Sequence, residues 1–317
     1  MLVLLALILL PPGAQGEIAQ PKPTPVVGQT GQAGTKAKNG DSVAIPSRYE
    51  YKMAMKFPLY YYDVRHLIPF WKTHGMILRA QDYIRLVPSV PHQRGSLWTM
   101  EKNSMAAWRL TSSFLVTGRG YAGGEGLTFW YSNNTNGLGP FYGAPNAFQG
   151  LAVVLDTADV ASRRYSPYIY GVQSRGDAAT TSAMLATTPK LGGCFRQYRN
   201  TLHPVWFRMS YVNRTLTVEM DVTHRGKLWV ECFTARDLDL PTGLQFGVSA
   251  ATEPLYHDNV DVYSMEVEQL QPPPRPHGLR GEEAAYLQRG QPFVMTPRLR
   301  QAIQESEAMA RRLREAQ

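Results

Sequence analysis

The chain contains Val87-Pro88-Ser89-Val90-Pro91-His92-Gln93-Arg94-Gly95-Ser96-Leu97-Trp98, echoed further on by Val116-Thr117-Gly118-Arg119-Gly120 and Gly126-Leu127-Thr128-Phe129-Trp130-Tyr131. Between these stretches Trp108, Leu110, Phe114 and Val116 alternate with Arg109, Thr111 and Ser113. The same period of two returns at Leu216, Val218, Met220 and Val222, opposite Thr215, Thr217, Glu219 and Asp221. Successive side chains of a strand point to opposite faces, so each such run has one apolar and one polar face. Residues 205–211 and 215–222, joined through Val212-Asn213-Arg214, read as a hairpin. Further strands are expected over 126–132, 150–155, 168–172, 227–234, 245–250 and 260–269, separated by Gly, Pro, Asn or Asp. Many strands and almost no helical periodicity predict an all-β sandwich.

With 317 residues and 44% hydrophobic content, the chain can build one large β domain of about 200 to 250 residues plus extensions. That domain is placed at 48–270. Residues 1–16 read as a signal peptide: the apolar run Leu2 to Leu10 is followed by Pro11-Pro12-Gly13 and the small-residue site Ala14-Gln15-Gly16, although no Lys or Arg precedes the run. Such a run is far short of the roughly 20 residues a membrane helix needs, and no later segment supplies them. The chain is therefore expected to be luminal or secreted. Residues 17–47, rich in Pro, Gly, Thr, Gln and Lys, are expected to be a disordered linker. A Pro-rich spacer is expected over 271–297, beginning at Pro272-Pro273-Pro274.

Beyond it, over 298–317, Leu299, Ile303, Ser306, Ala310 and Leu313 recur at helical steps, with Glu305, Glu307, Arg311, Arg312 and Arg314 outside. This amphipathic helix is too short to decide between a surface helix and a route to homo-oligomers. The net charge of +8 is scattered, without a block of like charge, and implies no nucleic-acid partner. Two cysteines, Cys194 and Cys232, form a disulfide in an oxidising lumen or stay as buried thiols.

Taken together, the 87–98 stretch, Gly118-Arg119-Gly120, Gly126-Leu127-Thr128-Phe129-Trp130-Tyr131, Gly247-Val248-Ser249-Ala250-Ala251-Thr252 and the cysteine contexts Cys194-Phe195-Arg196-Gln197-Tyr198-Arg199-Asn200 and Glu231-Cys232 resemble the L-type lectin-like cargo receptors of the early secretory pathway. That family comprises the mannose-binding lectin of the ER-Golgi intermediate compartment and its vesicular integral membrane relatives. The resemblance covers about 48–270 and implies a concanavalin-like jelly-roll sandwich with Cys194 paired to Cys232. It also implies residence in the lumen of the ER, intermediate compartment and Golgi, glycoprotein cargo with high-mannose glycans, and further protein partners there. Family members continue into a self-associating stalk and a membrane span. The stalk's beginning is expected at 298–317, and the span either lies outside this chain or is lacking in a soluble paralogue.

Such a lectin holds sugar hydroxyls with a carboxylate and an amide, and a calcium ion beneath fixes those side chains through several oxygens. By resemblance, the calcium positions are Asp156, the backbone carbonyl of Ala158, and Asp177, with Asp159 as a substitute ligand. Ser89 keeps the family's sugar-touching serine. Elsewhere the chain departs from the pattern. Glu125 stands for an Asp and pushes the charge out by a methylene, while Val160 stands for an Asn and offers no side-chain oxygen. Ser174 or a neighbour stands for a His, and Glu253-Pro254 for a Gly-Gly, where proline removes an amide donor. The expectation is a weakened or lost calcium and mannose site. The alternative is a lectin fold that has lost sugar binding and acts through protein–protein contacts. Asp156 and Asp159 also fit simple strand-end turns.

Two glycosylation sequons, Asn133-Asn134-Thr135 and Asn213-Arg214-Thr215, fall in expected turns. An enzyme is not expected. Glu219-Met220-Asp221 comes nearest to the paired carboxylates of a glycoside hydrolase, but the next same-face residue is Thr223. The solvated face of a hairpin explains the pair more simply. No nucleophile elbow, zinc-binding His pair or phosphate loop occurs.

Overall fold

The computed structural model describes residues 45–57, 68–120, 123–157, 167–176 and 189–271. The expected signal peptide, most of the linker, the spacer from 272 and the helix at 298–317 lie outside the described residues. In chain order the strands are β1 (Ser47–Tyr49), β2 (Met55–Lys56), β3 (Trp71–Gly75), β4 (Leu78–Arg79), β5 (Ile84–Val87), β6 (Arg94–Thr99), β7 (Trp108–Thr117) and β8 (Gly126–Ser132), then β9 (Gln149–Asp156), β10 (Tyr168–Arg175), β11 (Gly192–Phe195), β12 (Val205–Val212), β13 (Thr215–Asp221), β14 (Val230–Ala235), β15 (Gln245–Ala251) and β16 (Asn259–Leu270). They form two sheets. One has the order β14-β13-β12-β7-β16-β5-β4, with β1 and β2 also on β16, and the other has the order β11-β10-β9-β8-β15-β6-β3.

Alternation decides which face each strand buries. Val205, Phe207, Met209 and Tyr211 of β12 point inward while Trp206, Arg208 and Ser210 stay partly exposed. Val212 pairs with Thr215, so the turn is Asn213-Arg214 alone. Both residues have positive φ, 48° and 59°, as a two-residue hairpin turn matching the strand twist requires. The inner faces meet in one apolar core. Phe129 of β8 stacks on Phe207 of β12 with centroids 4.3 Å apart, and Trp108 of β7 packs on Tyr131 and Phe246 of the other sheet.

The seven-stranded sheet is buried on its outer side as well. Every residue of β8 and of β15 is buried. Trp98, Trp130, Ala152, Val154 and Tyr170 form a second cluster covered by Phe141, Tyr142 and Phe148 from the β8–β9 connection. A strand covered on both sides reads as a continuous apolar run rather than an alternating one. The cover is pinned by hydrogen bonds: Trp130 Nε1 donates to Ser249 Oγ at 2.8 Å, and Ser249 Oγ donates to the Tyr142 carbonyl at 2.7 Å. Gly247 leaves room for the Trp98 indole, since a Cβ there would lie 2.2 Å from the ring.

Three expectations need correction. The strand expected from 227 begins at Val230, because the Asp221 carboxylate accepts the amides of Thr223, His224 and Leu228 and holds a turn in that segment. Asp221 is accordingly buried, not part of a solvated face. The linker expected through 47 overlaps β1, where Ser47 pairs with Leu270. Strands β1 to β6 and β11 have no counterpart among the expected strands: β1, β2 and β4 have only two or three residues, and β6 is buried at every position after Arg94, so that no alternation shows.

Cys194 and Cys232 form the disulfide. They join β11, the edge of one sheet, to β14, the edge of the other. Replacing both with Ser is expected to cost about 2–4 kcal/mol in denaturant unfolding, and reductant should lower the wild-type midpoint to match.

Candidate functional site

Strand register gathers one rim of the seven-stranded sheet. Gly126 pairs with Asp156 and with Ala251, and Ala251 pairs with Arg94. Glu125, Asp156, Glu253-Pro254 and the β5–β6 connection that carries Ser89 therefore lie at the same end. Thr252 clips that connection in place: its amide donates to the Gln93 carbonyl at 3.0 Å and its Oγ1 to the Val90 carbonyl at 2.7 Å. Ser89 donates its amide to Asn259 Oδ1 at 2.8 Å and its hydroxyl to the His257 carbonyl at 2.9 Å. Glu253 donates its amide to the Tyr256 carbonyl at 3.2 Å, closing a turn with Pro254 exposed at its tip.

Glu125 Oε1 accepts the Tyr142 amide at 2.9 Å. Burial pushes this carboxyl above the usual range, and the Tyr142 amide and nearby Arg94 oppose the shift while Glu253 adds to it. Asp156, at the end of β9, faces two buried phenols. Burial, then the Asp156 charge, holds Tyr142 and Tyr198 well above the ordinary tyrosine value. The Tyr198 hydroxyl has no hydrogen-bond partner among the described residues.

Ser174 does not join this group. It lies on β10 opposite Gly150, while Tyr168 at the strand's other end faces Asp156. At about 3.4 Å per residue, six residues separate these ends by roughly 20 Å. Ser174 accepts the Gly176 amide at 3.2 Å and lines a separate cavity of about 450 Å3 with Gln149, Gln173, Arg175 and Arg214. Its match to a sugar-contacting His is corrected by this register. Ala158, Asp159, Val160 and Asp177 lie outside the described residues. Among the described residues no three His, Cys, Asp or Glu side chains are gathered for a metal, and Asp156 is the expected calcium residue that can be placed. Of the sequons, Asn133 accepts the Gln149 amide at 2.9 Å beside a buried Thr135, and Asn213 is exposed at the hairpin tip.

Behind the rim lies a group that motif reasoning missed. Arg199 donates from Nε to Asp258 Oδ2 and from Nη2 to Oδ1, both at 2.7 Å, with side chains 7% and 4% exposed. Its Nη1 reaches the Gly120 carbonyl at 2.8 Å. Asn200 bonds both the amide and the carbonyl of Gly118, at 2.9 and 3.0 Å. A Cβ on Gly118 would stand 1.7 Å from Asp258 Oδ1, so only glycine fits. Thr157 Oγ1 donates to the Gly124 carbonyl, fixing the entry to Glu125. Arg199 and Asn200 follow Cys194 within one quoted motif, but nothing in the sequence pairs them with Asp258 and Gly118.

Two antiparallel sheets packed face to face, with carboxylates gathered at one sheet end, make a β-sandwich with a candidate binding rim. The chain belongs to the legume-like lectin family, whose profile matches residues 46–276. It is 32% identical over 249 residues to Protein ERGIC-53 of Rattus norvegicus, covering 78% of this chain and 48% of that one. It is 31% identical over 207 residues to the vesicular integral-membrane protein VIP36 of Homo sapiens, covering 64% and 58%. The chain thus spans about half the length of the ERGIC-53 proteins it matches. Among solved structures, the Ca2+-bound exoplasmic/lumenal domain of VIP36 superposes with a TM-score of 0.65 at 28% identity, covering 71% of this chain and 93% of that one. Its Ca2+/Man3GlcNAc-bound form gives a TM-score of 0.63 at 28% identity, covering 73% and 95%.

Asp258→Asn leaves the Arg199 guanidinium buried without its counter-charge and should cost about 3–5 kcal/mol in denaturant unfolding, more than a paired Arg199→Leu/Asp258→Leu replacement. Glu125 has a native pKa above its unfolded value. Its contribution is therefore fully present below the ordinary glutamate pKa and is lost as pH rises through the raised native value. Glu125→Gln, which keeps the acceptor for Tyr142, should flatten the stability profile in that window when unfolding is followed against pH.

Proposed function

We propose that this protein binds glycoprotein cargo through high-mannose glycans in the lumen of the early secretory pathway, using a calcium and mannose site weaker than the family's. The observation that carries the proposal is the convergence of Ser89, Glu125, Asp156 and Glu253 at one rim, in a fold whose VIP36 relative holds Ca2+ and Man3GlcNAc. Glu125 would accept sugar hydroxyls with the carboxylate oxygen not bonded to Tyr142, and Ser89 would bound the sugar from the β5–β6 side. Asp156, with Ala158, Asp159 and Asp177, would hold calcium, which orders these side chains when bound. The weakness has three local causes. Val160 supplies no side-chain oxygen, Glu125 is longer than an Asp and already tied to Tyr142, and Pro254 has no amide to give. Binding rather than catalysis is the role that family membership supports. Entry through the signal peptide at 1–16, glycans on Asn133 or Asn213, and self-association through 298–317 belong to the same proposal.

A second reading, a lectin fold acting through protein contacts alone, is favoured by one feature. Leu255 is 81% exposed and Tyr256 39% exposed at the lip of the rim, an apolar tip suited to a protein partner.

Calorimetry on the full chain separates the two. Calcium followed by a high-mannose oligosaccharide should give weak, calcium-dependent sugar heat in the wild type and at least about tenfold tighter binding in Val160→Asn, equivalent to 1.4 kcal/mol. Absence of sugar heat in both proteins would favour the protein-contact reading.

A further inference from the structure

We propose a second subsite beside Ser89, selective for sugar units that carry a carboxylate or phosphomonoester. It rests on the lectin reading of the rim but uses different residues and needs no calcium. A cavity of about 560 Å3 opens between the Thr117–Gly120 segment and the Leu255–His257 turn, within the roughly 300–1,000 Å3 of small-ligand sites.

Its polar walls are largely committed to one another. The Asn200 amide is spent on Gly118. The Asn259 side chain accepts the Ser89 amide and donates to Thr117 Oγ1 at 3.4 Å, and the Ser89 hydroxyl is turned to the His257 carbonyl. Among the described residues three groups remain for a ligand. Arg119, exposed on the Gly118–Gly120 segment, has no ion-pair or hydrogen-bond partner among the described residues. His257 lines the wall with one ring nitrogen 3.3 Å from Ser89 Oγ, leaving the other nitrogen uncommitted. Tyr256 presents a half-exposed ring next to Leu255.

Charge decides the ligand class. Among the described residues no carboxylate lines the cavity, and the nearby Asp258 is neutralised by Arg199, so the formal charge these residues bring to it is that of Arg119. A neutral hexose would leave that guanidinium unmatched, whereas a carboxylate or phosphate accepts its planar fork through two parallel hydrogen bonds. The Tyr256 ring supplies the apolar face against which the C–H side of a sugar packs. An anion alone would gain nothing from that ring. A charged sugar gains from both.

The test titrates the full chain in EDTA with mannose, mannose 6-phosphate, N-acetylneuraminic acid and inorganic phosphate. At least one charged sugar should bind about tenfold or more tighter than mannose and than phosphate, and the tighter of the two names the substituent. Arg119→Gln should abolish the preference over mannose, and Tyr256→Ala should weaken the charged sugar while leaving phosphate unchanged. Both side chains are exposed, and thermal unfolding of the variants should match the wild type. Equal binding of mannose and the charged sugars, a preference surviving in Arg119→Gln, or phosphate binding as tightly as the sugars would overturn the inference. High-mannose binding with calcium but no charged-sugar binding in EDTA sinks the subsite alone. The reverse result sinks only the calcium-dependent reading.

Discussion

The buried pair between Arg199 and Asp258 is the constraint around which the functional end is arranged. One bidentate pair of hydrogen bonds at 2.7 Å satisfies both charges away from water, and the remaining guanidinium nitrogen fixes the Gly120 carbonyl. A desolvated ion pair adds little net stability over a well-packed apolar pair, but it tolerates no loss of either partner. Its worth here is positional. It joins the segment after β11, the segment after β7 and the lead into β16, three pieces of chain far apart in sequence. Gly118 follows from the same contact, because the carboxylate occupies the space a side chain would need.

The second constraint is burial of the seven-stranded sheet on both sides. Trp98 and Trp130 lie under Phe141, Tyr142 and Phe148, and fully burying a large apolar side chain is worth on the order of 1.5–3 kcal/mol. This cover reaches the site directly, since the Ser249 bond to the Tyr142 carbonyl sets the peptide run whose Tyr142 amide meets Glu125. The acidity of Glu125 is thus set by packing on the sheet's outer face as much as by the charges near it.

The two acidic residues of the β12–β13 hairpin are absorbed by structure. Glu219 accepts two hydrogen bonds from Arg208, at 2.7 and 2.8 Å. For Asp221, burial works against ionisation, but the amides of Leu228, His224, Thr223 and Gly226 together hold its pKa below the usual value. A carboxylate that spends its oxygens on a turn cannot share a glycosidic bond with its neighbour. The rim differs in kind, because Glu125 offers one oxygen to an amide and leaves the other open.

Alternation along β7, β12 and β13 marked half-buried strands from sequence alone, because the pleat converts a period of two directly into an inner and an outer face, and their number without helical periodicity implied the sandwich. The hairpin was equally legible, although its turn is Asn213-Arg214 without Val212, and the family resemblance pointed to Ser89, Glu125 and Asp156. The shortest strands, such as β1, β2 and β4, carried no period to read, and β8 and β15, buried at every position, gave no hint of what covers their outer side. Which candidates meet was decided only by register. Antiparallel pairing of β9 with β10 carries Ser174 to the far end from Asp156, and pairing of β8 with β15 brings Glu125 toward Glu253. The same holds for Arg199 and Asp258, 59 residues apart: a contact between distant residues is specified by the closed fold around it, and no local pattern in the chain encodes it.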